Sequence, residues 1–257
     1  MFVGAVAWLV FTQPFQDSLA KPTRLTDNRT QIRIVLETEA EMFPKSWLES
    51  PINAKAKPLD TDQVDRSGSL VTKALDYYPA EVLKSALTKV YVCRSIEFYG
   101  LEYGGTNSLD CVYLTNAGEP KGYSDSYIVG SFHHELSSIF LRNHPENLED
   151  KAWNDCNPEG FKYGQGGTEA LRSGQDSTQM DETLAAKGFL AQYAQASLEE
   201  DFNMTVEGLF SGNARFWKLV DEHERFRSKA RIAIKFYSKL DPVFTETHFR
   251  NLVKTGR

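Results

Sequence analysis

The stretch that decides the fold is SFHHELSSIFL, residues 131–141. It begins like the pattern H-E-x-x-H, in which two histidines four residues apart on a helix bind zinc and the glutamate activates the metal-bound water. Here His134 and Glu135 start the pattern, but Ser138 stands in the place of the second histidine. On a helix His134 and Ser138 share one face, and Glu135 is turned about 100° away. Because a serine hydroxyl is a weak zinc ligand, the pattern predicts a metal centre that lacks one strong ligand.

Three other groups are candidates for the missing ligand. His133 is adjacent to His134 and points about 100° away from it, so both cannot easily reach one ion. His144 has the spacing of a third histidine in the metzincin pattern, but Leu141 replaces the glycine that turns the chain there. A continued helix would carry His144 about 15 Å along its axis. The remaining candidate is a carboxylate from Glu199-Glu200-Asp201, about 65 residues further on.

The same residues also have ordinary structural explanations. Residues 197–200, SLEE, match the capping box S-x-x-E, which begins many helices. His133 and His134 can equally form a hydrogen-bonded rim of the core. Spacing alone therefore leaves a metal site and a purely structural role both open.

The pattern of apolar residues predicts an α+β fold. Ser124 or Asp125 caps the helix that carries the motif, and Pro145 follows the end of this helix near Asn143. We predict strands over residues 31–37, 89–98 and 108–115, and helices over residues 69–88 (interrupted at Pro79), 197–210, 213–239 and 241–255. Residues 181–195 are predicted to form a short helix or a turn. We predict loops or turns over residues 50–68, 100–105 and 145–182. The order is a zincin-like one: an N-terminal mixed sheet with helices, an active-site helix, and then a C-terminal helical part.

Composition and the N-terminus bear on location and partners. The 257 residues carry a net charge of −6 without a run of Lys or Arg, which argues against nucleic acid and anionic membranes as partners. The apolar run of residues 2–11 is too short to span a bilayer and is followed by Ser18-Leu19-Ala20. We therefore predict a signal peptide over residues 1–20, a single exported domain over 21–257, and no membrane span. A buried N-terminal segment is the alternative.

The three cysteines, Cys93, Cys111 and Cys156, have no CxxC spacing, which excludes a zinc finger or a redox pair. In an exported protein Cys93 and Cys111 could pair, because they fall in adjacent predicted strands. Burial as small apolar side chains is the default expectation.

Several segments together resemble the gluzincin-like family of zinc-binding metallopeptidases secreted by bacteria. The resemblance runs in order over about residues 65–255. It is carried by LDYYP (75–79), KVYVC (89–93), YGGT (103–106), FHHE (132–135), GF (188–189), YA (193–194) and EDF (200–202). Two departures from the family are Ser138 and the pair Asn203-Met204, which replaces a small and an acidic residue.

The resemblance implies a zinc-dependent peptidase acting on a peptide or protein substrate. In it, His134 and Glu200 hold the ion, Ser138 contributes weakly or through a water, and Glu135 is the general base. Tyr193, near Glu200, is a candidate donor to the developing oxyanion. The alternative is a zincin-like protein without catalysis, whose cleft binds a peptide, a glycan or a partner protein. The missing ligand at position 138 favours this alternative, and the retained Glu135 favours the enzyme.

Overall fold

The structure is a computed structural model and describes residues 22–255, so the predicted signal peptide lies outside the described residues. The strands are Arg24–Thr26 (β1), Arg33–Val35 (β2), Lys55–Lys57 (β3), Lys89–Cys93 (β4), Ser95–Phe98 (β5), Leu101–Tyr103 (β6), Gly105–Asn107 (β7) and Cys111–Thr115 (β8). The helices are Lys45–Leu48 (α1), Val64–Leu75 (α2), Ala80–Lys84 (α3), Asp125–Asn143 (α4), Asp150–Asp155 (α5), Gly167–Ser173 (α6), Glu182–Ala186 (α7), Leu198–Phe210 (α8), Ala214–Glu222 (α9), Glu224–Leu240 (α10) and Glu246–Thr255 (α11). The predicted α+β class with an N-terminal mixed sheet is confirmed.

The main sheet has the order β1-β2-β4-β8-β7. Strands β2, β4 and β8 run parallel, and the outer strands β1 and β7 are antiparallel to their neighbours. Helix α4 packs against β7 and β8, so the motif helix lies beside an edge strand of this sheet. This arrangement brings residue 135 close to β7.

Alternate residues of the central strands enter two different cores. Val90, Val92 and Leu114 belong to the large core beneath the helices. Tyr91 and Tyr113 point to the other face, where their rings stack at 5.3 Å between centroids, and join a smaller core. The period of two residues in a strand explains this division. The smaller core is closed by a second sheet of order β3-β5-β6, which ends at Tyr103.

The helical part packs on α4 mainly through α8, and α10 packs on α8 in turn. Both functional helices begin at the predicted caps. Ser124 Oγ accepts a hydrogen bond from the backbone N–H of Tyr127, and Ser197 Oγ accepts one from that of Glu200. Within residues 22–255, no helix combines the length and apolar character needed to cross a membrane.

Several boundaries predicted from the sequence are wrong. The segment 213–239 forms two helices, because His223 is extended (φ −119°, ψ 110°) and separates α9 from α10. The predicted loop 50–68 contains β3 and the start of α2, and the predicted loop 145–182 contains α5 and α6. The predicted turn 100–105 contains β6 and the start of β7. Strands of three residues are too short to show a period, so only their pairing partners reveal them.

A disulfide between Cys93 and Cys111 is also excluded. In the parallel register of β4 and β8, Cys93 lies opposite Thr115 and Cys111 lies opposite Lys89. The two cysteines are therefore at opposite ends of the strand pair, beyond the reach of an S–S bond. All three cysteines are free thiols, and Cys93 is buried.

Candidate active site

His134 lies where α4 packs against α8, and two carboxylates of α8 contact its ring. Its Nε2 is 3.0 Å from Glu200 Oε2, and its Nδ1 is 3.4 Å from Glu207 Oε2. Glu200 and Glu207 are seven residues apart and therefore share one face of the helix. Burial acts to lower the pKa of His134, but the two carboxylates outweigh it and raise this pKa well above its usual range. Each ring nitrogen of His134 therefore faces a carboxylate of α8.

Glu200 has a second partner, which binds its other carboxylate oxygen. The Tyr193 hydroxyl donates to Glu200 Oε1 at 2.9 Å, and its ring stacks on that of His134. Burial and the neighbouring carboxylate raise the pKa of Tyr193, so it remains a neutral donor. Of the predicted capping box, Ser197 caps the helix, while the Glu200 carboxylate contacts His134 and Tyr193.

Glu135 follows His134 in α4, and its side chain lies against β7. The side-chain amide of Asn107 donates to Glu135 Oε2 at 2.8 Å. The strand approaches so closely that a Cβ atom at Gly105 would be 2.8 Å from Glu135 Oε1. Burial raises the pKa of Glu135 to about 7, although His134 and Asn107 partly oppose the shift. A carboxyl group that ionises near neutral pH has the property that a general base requires.

Ser138 is buried and its hydroxyl is occupied by a residue of α8. The Asn203 side-chain N–H donates to Ser138 Oγ at 2.6 Å. The amide oxygen of Asn203 accepts a hydrogen bond from Ser137 Oγ, which lies one residue earlier in α4. Asn203 thus bridges two serines in the space beside the third ligand position.

The donors at this place do not fit a three-ligand zinc site. His134 Nε2 and Glu200 Oε2 are 3.0 Å apart, which suits two ligands that share one ion with bonds of about 2 Å. The third position is Ser138, whose oxygen accepts from Asn203. In the described part of the chain, one group of three His, Cys, Asp or Glu residues has ligand atoms mutually within 4.8 Å, and it consists of Glu182, Glu222 and His223. This largely exposed group lies at α7 and the α9–α10 junction and includes no residue of the motif.

The two other histidines proposed from the sequence have partners other than Glu200. His133 is fully buried, with its Nδ1 2.8 Å from the Tyr78 hydroxyl and its ring stacked on Phe210. Burial lowers its pKa to about 3, so it is a neutral residue of the core. His144 ends α4 as its C-cap, and its Nδ1 is 3.7 Å from Glu146.

Sequence reasoning missed three residues that contact the predicted ones: Asn107, Asn203 and Glu207. Glu207 had a recognisable signal, because it follows Glu200 by two helical turns and so faces the same way. Asn203 was noticed only as a departure from the family. Asn107 lies on a strand that the sequence did not reveal, and its pairing with Glu135 joins residues 28 positions apart.

No family model matches this chain, and no curated protein sequence matches it either. One solved structure is similar over 88% of this chain and 89% of the other, with 14% identity and a TM-score of 0.53. It is a protein of Bacteroides caccae described as a candidate zinc-binding metallopeptidase. At this identity the likeness establishes the fold alone: the chain has a metallopeptidase-like fold.

Proposed function

We propose that this chain is a protein of metallopeptidase-like fold whose cleft binds a peptide or protein segment without hydrolysing it. The observation that carries the proposal is the contact between Asn203 and Ser138, which occupies the place of a third zinc ligand. A catalytic zinc normally has three protein ligands and a water. Here one of them is a buried hydroxyl that already accepts a hydrogen bond.

The position of β7 supports an extended peptide as the occupant. This strand is the last in the order of the main sheet, and within the described residues one of its edges has no neighbouring strand. Such an edge can add a further strand by backbone hydrogen bonds. The side chain of Asn107, at the end of β7, donates to Glu135, so this edge of the sheet lies beside the candidate site.

Zinc content tests the proposal. We expect protein purified without chelators and equilibrated with micromolar zinc to hold far less than one zinc per chain by mass spectrometry of the metal. The double variant Ser138→His/Asn203→Ala replaces the hydroxyl by a ligand and removes the amide that fills the space. We expect it to hold about one zinc, lost again when His134→Ala is added.

A wild-type chain that retains one zinc, and loses it in His134→Ala or Glu200→Ala, would overturn the proposal. Ser138→His alone is the matched control, because Asn203 still fills the space beside it. We expect this single variant to bind zinc more weakly than the double variant.

A zinc-dependent peptidase is the second candidate, favoured by the 3.0 Å approach of His134 and Glu200 and by the near-neutral pKa of Glu135. In that case His134 and Glu200 hold the ion, and Ser138 is a weak or water-mediated ligand. Glu135 is the general base and Tyr193 the oxyanion donor. Zinc-dependent cleavage of a peptide library by the wild type, abolished in Glu135→Gln without loss of zinc, would establish it.

A further inference from the structure

We propose that residues 164–175, here called the cover segment, form a hinged lid over the His134–Glu200 pair, held shut by the hydrogen bond between Tyr103 and Thr168. The proposal rests on the proposed function, because it concerns access of a ligand to that cleft. The segment comprises α6 and the residues that flank it, and the sequence predicted only a loop here.

The first turn of α6 lies directly on the site. A Cβ atom at Gly167 would be 2.3 Å from the Tyr193 hydroxyl and 2.6 Å from Glu200 Oε1. No side chain fits between the helix and this pair of residues. Ligand entry from this direction therefore requires α6 to move.

One hydrogen bond joins the cover segment to the end of strand β6, which is called the strand side below. The hydroxyl of Tyr103, at the end of β6, is 2.9 Å from Thr168 Oγ1. Tyr103 is two residues before Gly105, whose added Cβ would meet Glu135, whereas Thr168 follows Gly167, whose added Cβ would meet Glu200. The bond thus joins the segment beside Glu135 to the segment beside Glu200. Both side chains are half-buried, and a single hydrogen bond of this kind is a weak restraint.

A second, looser contact to the strand side is that of the Arg172 guanidinium with the Tyr99 ring, 6.0 Å from its centroid. The backbone hydrogen bonds of the cover segment to other parts of the chain anchor it to the helical side. The backbone N–H groups of Gly164 and Gly166 donate to the carbonyls of Gln195 and Ala196 at 3.0 and 2.9 Å. Just beyond the segment, the carbonyl of Ser177 accepts from the N–H of Tyr193 at 3.0 Å. Both ends are therefore fixed to the residues that precede α8, and the bond to Tyr103 lies at the free side.

Glycines with positive φ stand at both ends of α6. Gly166 (φ 93°) and Gly174 (φ 66°) adopt backbone conformations that other residues disfavour. An added Cβ would meet nothing within 4 Å at either position, so there is open space beside both glycines. A short helix between two such glycines is anchored by backbone hydrogen bonds on the helical side. On the strand side it is held by one hydrogen bond and the contact of Arg172 with Tyr99, so it can swing outward as a unit.

Hydroxyl-radical footprinting of Tyr193 tests the lid. Thr168→Val keeps the shape of the side chain but removes the hydrogen bond, and Tyr103→Phe removes it from the other side. We expect each variant to raise the oxidation rate of Tyr193 by about 2- to 10-fold, the change that loss of one such bond makes in an opening equilibrium. Thr168→Ser keeps the hydroxyl and should match the wild type. Tyr237 of α10, which is fully buried and packs on Phe210 and Phe244, reports global unfolding and should not change.

Unchanged oxidation of Tyr193 in both variants would overturn the proposal. If a variant unfolds, hydrogen exchange of the wild type decides: the amides of α6 should exchange much faster than those of α4 and α8, and equal protection would contradict a lid. Neither readout uses zinc or a ligand. A zinc-loaded wild type would therefore overturn the proposed function and leave the test of the lid intact.

Discussion

Among the site residues, Glu135 makes the contribution to the free energy of unfolding that depends most directly on pH. Burial raises its pKa from 4.5 to about 7, so the folded chain keeps a proton that the unfolded chain releases between these two values. The unfolded state then binds fewer protons than the folded state, and the free energy of unfolding falls as pH rises through this interval. Well below pH 4.5 the carboxyl group is protonated in both states, so the free energy of unfolding no longer changes with pH through this group.

Glu135→Gln removes this ionisation and keeps an oxygen that can accept from Asn107. We expect the variant to be more stable than the wild type at pH 8, by up to about 3 kcal/mol, because a shift of one pKa unit is worth about 1.4 kcal/mol. At pH 4 the two proteins should have equal free energies of unfolding. Urea denaturation at both pH values measures the difference.

Glu159→Gln is the control for that comparison, because Glu159 is exposed and its charge is not among those that shift the pKa of Glu135. It should change the free energy of unfolding by less than about 0.5 kcal/mol at either pH. A Glu135→Gln variant that is less stable than the wild type at pH 8 would show that the carboxylate is stabilised by its neighbours.

At the scale of elements, α8 supplies most of the contacts to the motif of α4. Glu200, Asn203 and Glu207 follow at steps of three and four residues, so one helical face carries all three. The position of this face depends on where the helix starts. Ser197 determines that start, since its hydroxyl accepts from the N–H of Glu200 at 3.1 Å.

Ser197→Ala should therefore destabilise the protein by about 1 kcal/mol, the usual loss for an N-cap. Ser197→Asp keeps an acceptor at the cap and should retain most of the stability. Thermal unfolding of the three proteins at pH 7 tests this. Equal stability of the alanine variant and the wild type would mean that the contacts of Glu200 alone hold the first turn.

The sequence predicted α4 and α8 with their caps because these signals are local: apolar residues at helical spacing and a serine before each start. It did not predict β6 and β7, since strands of three residues exist only through pairing with distant partners. The contact of Asn203 with Ser138 joins positions 65 residues apart and follows from the packing of two helices. Likewise, no local pattern of residues predicts that His223 interrupts the helical segment 213–239.

At the scale of the whole molecule, a buried ion pair joins three parts of the helical half. Lys229 of α10 donates to Asp201 Oδ2 at 2.5 Å and to Asn157 Oδ1 at 2.6 Å, and both charged side chains have 0% exposure. Tyr163 and Trp153 donate to the same oxygen of Asp201. Because Asp201 follows Glu200, this network fixes the first turn of α8 next to His134. Through Tyr163 it also joins this turn to the residues that lead into the cover segment.

Removing one partner of this buried ion pair should lower the free energy of unfolding far more than removing one partner of an exposed ion pair. Lys229→Met leaves the Asp201 carboxylate buried without its cation, and we expect a loss of about 3–5 kcal/mol in the free energy of unfolding. The double variant Lys229→Met/Asp201→Asn should recover much of this loss, because no buried charge remains. Lys235→Met, in the same helix, breaks an exposed pair with Glu149 and should cost less than about 1 kcal/mol. Urea denaturation of the four proteins decides, and equal losses for Lys229→Met and Lys235→Met would show that the buried network does not hold the helical half together.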